Sequence, residues 1–370
     1  MCGGRFRGSV RVKVAIGLSG GVDSSVAALL LKEAGHEVTG VTMKLWRGTF
    51  RGGARDACFG PGEADDIERA AEFARSLGVD YRVLDCSEAY EREIVDAFRE
   101  ISLRGETPNP CVLCNASLKF GLLPRLARAQ GVEFDCFATG HYARIVRTGG
   151  RFAVRRAADE KKDQSYFLYR LSQEQLSQVL FPLGDLTKVD VRRIAREHAI
   201  AAADKADSQD FYSGDKSELI GAPPREGDIV DLSGRVLGRH QGYWNYTVGQ
   251  RKGLGVSAHE PLYVVRVDAC CNRVVLGTRA EAFSREFAVD DLHWMAHAPT
   301  NEPIRAFVKV RSTGTPLGPV ELEGGRCRAP GEGLFGVAPG QSAVFYDEDG
   351  TIVCGGIIGY SPQTIVVASE

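Results

Sequence analysis

Gly17-Leu18-Ser19-Gly20-Gly21-Val22-Asp23-Ser24-Ser25 stands between an apolar run, Val10 to Leu18, and a helical stretch over Asp23 to Ala34. A buried strand that ends on glycines and enters a helix directly leaves a turn with little side-chain bulk in front of the helix N-terminus. Backbone N–H groups can approach phosphate oxygens closely there, and the helix end adds positive potential. Ser19, Ser24 and Ser25 supply further donors. Gly17, Leu18, Ser19, Gly20, Gly21, Val22, Asp23 and Ser24 are therefore the candidate phosphate cradle. The G-x-x-x-x-G-K-S/T pattern is missing, and with it the lysine that grips the β and γ phosphates. A tight turn with a good helix cap is the plain alternative. A bare Gly-Gly would favour it; the whole Ser-Gly-Gly-x-Asp-Ser run after a buried strand does not.

Outward from that loop, short apolar strands alternate with helical stretches. Glu37–Met43 reads as a strand, and Glu63–Leu77 as a helix whose Ile67, Ala70, Ala71, Ala74 and Leu77 form one stripe. A strand at Tyr81–Cys86, helices over Glu88–Ile101 and Leu118–Ala129, and a strand at Phe137–Gly140 continue the alternation. The pattern predicts an α/β fold with a doubly wound parallel sheet, which binds ligands at the carboxyl ends of its strands. A hairpin is expected around Thr148-Gly149-Gly150, and Thr187 with Asp190 marks a helix start with Val191, Ile194 and Ala195 facing inward. From about Ile220 helical periodicity fades. The expected domains are 1–216 catalytic, 217–285 a small central domain, and 286–370 a C-terminal β-barrel.

The chain has 370 residues, 44% hydrophobic and 25% charged, with a net charge of −2. A cationic nucleic-acid binder is excluded as a whole-molecule description, so any RNA surface must be local. No apolar run is long enough to cross a bilayer, and Met1–Ser9 lacks the apolar core of a signal peptide. A cytoplasmic setting is expected, with most of the ten cysteines as reduced thiols.

Thr107-Pro108-Asn109-Pro110-Cys111-Val112-Leu113-Cys114-Asn115 holds two of those thiols. The prolines are expected to hold the backbone out of helix until the cysteines are passed. A C-x-x-C presented this way is a redox pair, a metal half-site, or a nucleophile with a neighbour; two buried thiols in a turn is the bland reading. Cys270-Cys271 are adjacent and no histidine pair matches, which disfavours structural zinc.

Ser19–Ser24 is similar to the loop of N-type ATP pyrophosphatases, which split ATP between the α and β phosphates and adenylate an acceptor. With the cysteine loop, the chain resembles the bacterial tRNA 2-thiouridylases over nearly its whole length. Ala138-Thr139-Gly140-His141-Tyr142, Lys162-Asp163-Gln164-Ser165-Tyr166-Phe167, Asp207-Ser208-Gln209, the Tyr246–Gly255 segment and Pro339-Gly340-Gln341 carry that resemblance. It implies ATP with Mg2+ as cofactor and tRNA as substrate. Met43 and Gly140 would line the adenosine pocket, though Met43 reads equally as a strand-end core residue. Cys114 would be the catalytic nucleophile, and Asn109, Pro110 and Cys111 would contact the target base. His141, Lys162, Asp163, Gln164, Arg311 and Gln341 would touch the tRNA. The implied reaction adenylates oxygen 2 of the wobble uridine, after which sulfur attacks the adjoining carbon. The base must be flipped out of the anticodon stack to reach the α-phosphate. A monomer is expected, fed by a persulfide relay protein, a desulfurase or free sulfide.

The chain departs from the family at two points. Better-known members carry aspartate at the position of Cys111, and a second catalytic cysteine where Tyr212 stands. A phenol cannot carry sulfane sulfur, so two substitutes are open. Cys111 and Cys114 can form the working pair, or Cys58, Cys111 and Cys114 can ligate a 4Fe-4S cluster with one open iron. The sequence favours the cluster slightly. Basic residues cluster at Arg147, Arg151, Arg155, Arg156, Lys161 and Lys162, at Arg192, Arg193 and Arg196, and at Arg235, Arg239, Arg251 and Lys252, where they can position RNA. Tyr243, Trp244 and Tyr246 are candidates for stacking on bases, with core packing as the alternative. Ser312 stands where relatives often carry an aromatic. Another adenylating ligase and a catalytically silent tRNA-binding relative are the competing functions.

Overall fold

The computed structural model describes residues 11–48, 57–203, 210–212 and 214–360; Met1–Ser9 and Asp207-Ser208-Gln209 lie outside them. The chain begins with β1 (Lys13–Gly17), α1 (Val22–Glu33), β2 (Glu37–Lys44), β3 (Ala57–Phe59), α2 (Glu63–Leu77) and β4 (Asp80–Asp85). A helix over residues 87–103 and a second over residues 110–129 lead to β5 (Cys136–Ala138). The hairpin β6 (Ala143–Thr148) and β7 (Arg151–Arg156) turns at Gly149-Gly150. Then come β8 (Val179–Leu180), the helix Lys188–Glu197 and β9 (Asp210–Tyr212).

Five of these strands form one parallel sheet in the order β4-β2-β1-β5-β8. The chain leaves β1 toward one edge and returns to its other side at β5, so the switch point falls beside the phosphate loop. Val14, Ala15 and Ile16 are fully buried because helices cover both faces. α1 is apolar nearly all round and is correspondingly buried. α2 is amphipathic, inserts Ala70 and Ala74, and stops at Gly78 in the left-handed conformation that relieves its last carbonyls.

One helix boundary corrects the sequence reading. The second helix starts at Pro110, eight residues before the expected Leu118, and so carries both cysteines of the C-x-x-C. Proline at the first helical position loses nothing, since its missing N–H would have no intrahelical acceptor there and its φ is already helical. From Cys114 to Leu122 the helix winds with the wider π-type turn.

The last third is all-β, as its text predicts. Gly227–Asp231, Val236–His240, Tyr263–Asp268 and Arg273–Gly277 make a four-stranded central sheet. Six further strands from Glu286 to Ile358 close into a barrel, which leaves no open edge. The barrel is docked on the catalytic domain: Met295, Ala296, Val344 and Tyr346 share one apolar cluster with Ala15, Val41, Phe137 and Tyr166.

Candidate active site

The phosphate loop leaves β1 at Gly17 and is braced by its own serines. Ser19 donates its N–H to Ser24 Oγ at 3.1 Å, and the Ser24 and Ser25 hydroxyls donate to the Gly21 carbonyl at 3.1 and 3.0 Å. Leu18 and Val22 are buried and contribute only backbone. Gly20 takes a φ of 69°, which a residue with a side chain rarely adopts. Gly140 follows β5 and lies against the loop; a Cβ there would stand 2.7 Å from Ser24 N. Met43 sits half-buried at the carboxyl end of β2, packed against two apolar clusters.

Asp23, in the first turn of α1, is held from two directions. Lys188 Nζ lies 2.7 and 2.8 Å from its two carboxylate oxygens, and the Tyr142 hydroxyl donates to Oδ1 at 2.7 Å. Lys188 escaped the sequence reading. The available signal was a lysine at the first position of a helix, where the helix dipole opposes it.

Cys111 and Cys114 lie on the first turns of the helix that begins at Pro110. Burial pushes the Cys114 thiol up to about 11, while the Lys119 ammonium one turn along opposes that rise. Lys119 also acts on His141, whose ring is buried between Phe120 and Phe181 at 5.7 and 5.9 Å. Burial holds His141 neutral, with Nδ1 2.8 Å from Thr139 Oγ1. Gly140 thus touches the phosphate loop, and Lys119 acts electrostatically on both His141 and Cys114.

Tyr90 is buried beside the thiols, and Cys114, Cys58 and Cys111 all act electrostatically on its phenol. Cys86 is a fourth thiol in this neighbourhood; burial pushes it up to about 12. Cys58 rides on β3, which pairs in parallel with β9 so that Phe59 faces Tyr212. The Tyr212 phenol is buried and donates to Glu218 at 2.6 Å. Three thiolates are the right donor chemistry for an iron–sulfur cluster. Among the described residues no three His, Cys, Asp or Glu side chains are gathered so that they could hold a single metal ion; a cluster spans a wider set of thiols, and Cys58, Cys111 and Cys114 all act on the one phenol of Tyr90.

The barrel frames the cysteine loop. Thr107 donates its N–H to the Pro339 carbonyl at 2.7 Å, and Gln341 reaches both Asn109 and the Pro108 carbonyl at 3.4 Å. Asn109, Pro110, Cys111 and Gln341 are therefore brought together. Four other residues expected to touch RNA make bonds within the fold. Asp163, its side chain 1% exposed, accepts bonds from Ala157 N, Ser165 N and Ser165 Oγ. Gln164 accepts from Tyr142 N at 2.9 Å, His141 is the neutral wedge described above, and Lys162 is half-buried. Arg311 donates to the Val248 carbonyl at 2.7 Å and the Gly336 carbonyl at 3.1 Å, bracing the central domain against the barrel. Asp163 and His141 are buried and must be bonded internally, while Gln164 and Arg311 are half-buried and each makes bonds within the fold. Tyr243 is likewise in the core, with its hydroxyl on the Leu103 carbonyl at 2.7 Å. Part of the expected basic surface is ion-paired: Arg193 with Glu197, Arg235 with Asp231, Arg239 with Glu226 and Asp228. Arg251 and Lys252 stay exposed and form no ion pair among the described residues.

Residues 12–212 match the family model described as tRNA methyl transferase HUP domain. Residues 220–278 match the tRNA methyl transferase PRC-barrel domain, and residues 284–358 the Aminomethyltransferase beta-barrel domain. The tRNA-specific 2-thiouridylase MnmA of Endomicrobium trichonymphae is 43% identical over 358 residues, covering 94% of this chain and 99% of its own. The tRNA-specific 2-thiouridylase MnmA of Trichormus variabilis is 44% identical over 357 residues, covering 94% and 98%.

Proposed function

The chain belongs to the family of tRNA-specific 2-thiouridylases, a premise from which we infer that it catalyses ATP-dependent thiolation of a tRNA uridine. The observation that carries this reading is the placement of the phosphate loop and the cysteine-bearing helix along one carboxyl edge of the sheet, with Gly140 against the loop and Lys119 acting on both His141 and Cys114. The target is the wobble uridine, flipped toward that edge. Oxygen 2 of the base attacks the α-phosphorus of ATP, the bond to the β-phosphate oxygen breaks, and pyrophosphate leaves with the electron pair. Carbon 2 becomes electrophilic, and AMP departs when sulfur enters. Met43 and Gly140 border the adenosine pocket. Asp23 is the hard oxygen ligand that the loop offers a Mg2+ ion, which would offset phosphate charge when bound.

Sulfur is carried by the Cys111–Cys114 pair. One thiol bears the sulfane sulfur, and the other closes onto it as a disulfide when that sulfur passes to the base. Lys119 supports the thiolate of Cys114. Asn109 and Gln341 hold the loop that meets the base, while Arg251 and Lys252 offer the RNA backbone an unpaired positive surface. A second reading keeps the 4Fe-4S cluster on Cys58, Cys111 and Cys114, because all three thiols act on the phenol of Tyr90. No helix among the described residues is long and apolar enough to cross a membrane, and we place the enzyme in the cytoplasm as a monomer.

Reconstitution with ATP, tRNA and either sulfide or a persulfide donor tests the function, read as sulfur-for-oxygen exchange in the tRNA mass. Cys111→Ala and Cys114→Ala are expected to abolish thiolation and Cys58→Ala to spare it. Loss with all three, together with iron and sulfide in anaerobically purified protein, replaces the pair by the cluster. No mass change under any condition ends the thiolation reading.

A further inference from the structure

A loop that binds triphosphate without a lysine of its own must find its cation elsewhere. The pyrophosphate split from ATP carries the charge that builds up as the bond breaks, and fixed cations aimed at it are the usual source of stabilisation. Lys188 is the cation that the fold brings to this loop. Its side chain is 10% exposed, and it spans both oxygens of Asp23, in the first turn of α1 where the loop enters the helix.

Two features make Lys188 costly as a purely structural residue. It occupies the first position of its helix, directly after the Thr187 cap, where the dipole repels a positive charge. Its ammonium is also largely removed from water, although Thr187 and Asp190 already cap that helix without it. A local rule broken beside a functional loop points to function rather than to stability. Its surroundings are suited to holding a cation in place: the Tyr142 ring centroid lies 5.8 Å from Nζ, the Tyr142 hydroxyl anchors Asp23, and the Lys188 backbone N–H is fixed on Asp159 at 2.9 Å.

We infer that Lys188 supplies the phosphate-binding cation missing from the loop, resting on Asp23 before ATP binds and moving onto the β,γ-pyrophosphate once the nucleotide is seated. This deepens the adenylation reading above and rests on it for the chemical step. No proton is exchanged: the ammonium stays charged, the uracil oxygen–phosphorus bond forms, the bond from the α-phosphorus to the bridging oxygen breaks, and pyrophosphate leaves beside the lysine. Lys188 is on this account a catalytic residue that touches the leaving group.

The test compares ATP with AMP. Calorimetric titration of the full chain with each nucleotide, with Mg2+ present, is run on wild type, Lys188→Met and Lys188→Arg. Lys188→Met is expected to weaken ATP about 10- to 100-fold, the range of one charge-assisted contact, and to leave AMP unchanged. Lys188→Arg is expected to restore most of the ATP affinity. Removing the ammonium strands a carboxylate, so thermal melting of Lys188→Met is compared with that of Asp23→Asn/Lys188→Met, and Lys188→Met should keep its AMP affinity, which separates loss of the ATP contact from loss of the fold. Equal weakening of ATP and AMP, or no weakening of either, makes Lys188 a scaffold residue and overturns the inference. Pyrophosphate exchange with unmodified tRNA adds the chemical step, and Lys188→Met should slow it about 100-fold or more. A wild type that exchanges no pyrophosphate sinks the adenylation reading, while the ATP-against-AMP comparison still decides the role of Lys188.

Discussion

Cys114 shows how opposing influences meet at one atom. Desolvation favours its neutral thiol, and the Lys119 ammonium favours the thiolate; desolvation wins, leaving the group near 11. The thiol is therefore protonated at neutral pH, and its reactive fraction rises about tenfold per pH unit until the pH approaches that value. Alkylation of Cys114 by iodoacetamide, followed by peptide mass spectrometry, should climb across that range. Lys119→Met removes the opposing charge, so the profile should move to higher pH and the rate at pH 8 should fall several-fold, with Lys119→Arg close to wild type. An unshifted profile in the methionine variant would show that Lys119 does not act on the thiol. His141 gives the converse case: burial dominates, the ring stays neutral, and its contribution is shape and a bond to Thr139 rather than charge.

At the scale of elements, helix starts do much of the positioning. Pro110 begins the cysteine helix, so Cys111 and Cys114 are fixed on its opening turns instead of riding on a loose loop. The helix Lys188–Glu197 begins with a reciprocal cap, in which Thr187 Oγ1 accepts from Asp190 N and Asp190 accepts from Thr187 N. That cap sets where Lys188 emerges. Thr187→Ala should cost about 1 kcal/mol of stability in urea unfolding and also weaken ATP binding, since the frayed first turn no longer holds the lysine against Asp23. If stability falls while ATP affinity stays put, the cap has no part in placing that side chain.

Over the whole molecule, the barrel acts as a wall of the site. Its 338–342 turn holds Thr107 to Asn109, and a buried ion cluster fastens it to the β6–β7 hairpin region. Lys309, 3% exposed in its side chain, faces Asp163 at 3.7 Å, and Arg156 approaches the same carboxylate at 3.6 Å. Burial lowers the Lys309 pKa, and Asp163 partly restores it. Lys309→Met leaves a buried carboxylate short of charge and should cost about 3 kcal/mol, with Asp163→Asn/Lys309→Met recovering a good part. Urea denaturation of both variants checks this; a single variant as stable as the double would mean that Arg156 alone neutralises Asp163.

The sequence by itself settled the parallel sheet, the glycine turn between its first strand and first helix, and the all-β final third. Each of these is written in local patterns: apolar period, glycine at a strand end, adjacent residue types. The Pro110 boundary was misread because the same proline that blocks a helix interior opens a helix start, and only packing decides between them. The tertiary structure alone decided which polar residues are bonded within the fold. Asp163, Gln164, His141 and Arg311 have the composition of an RNA surface and are engaged by neighbours distant in sequence, Lys309, Tyr142, Phe181 and Val248 among them. Lys188 came into view the same way, 165 residues from the carboxylate it holds. Burial and charge pairing depend on contacts made across the fold, and nothing in a local stretch of chain records them.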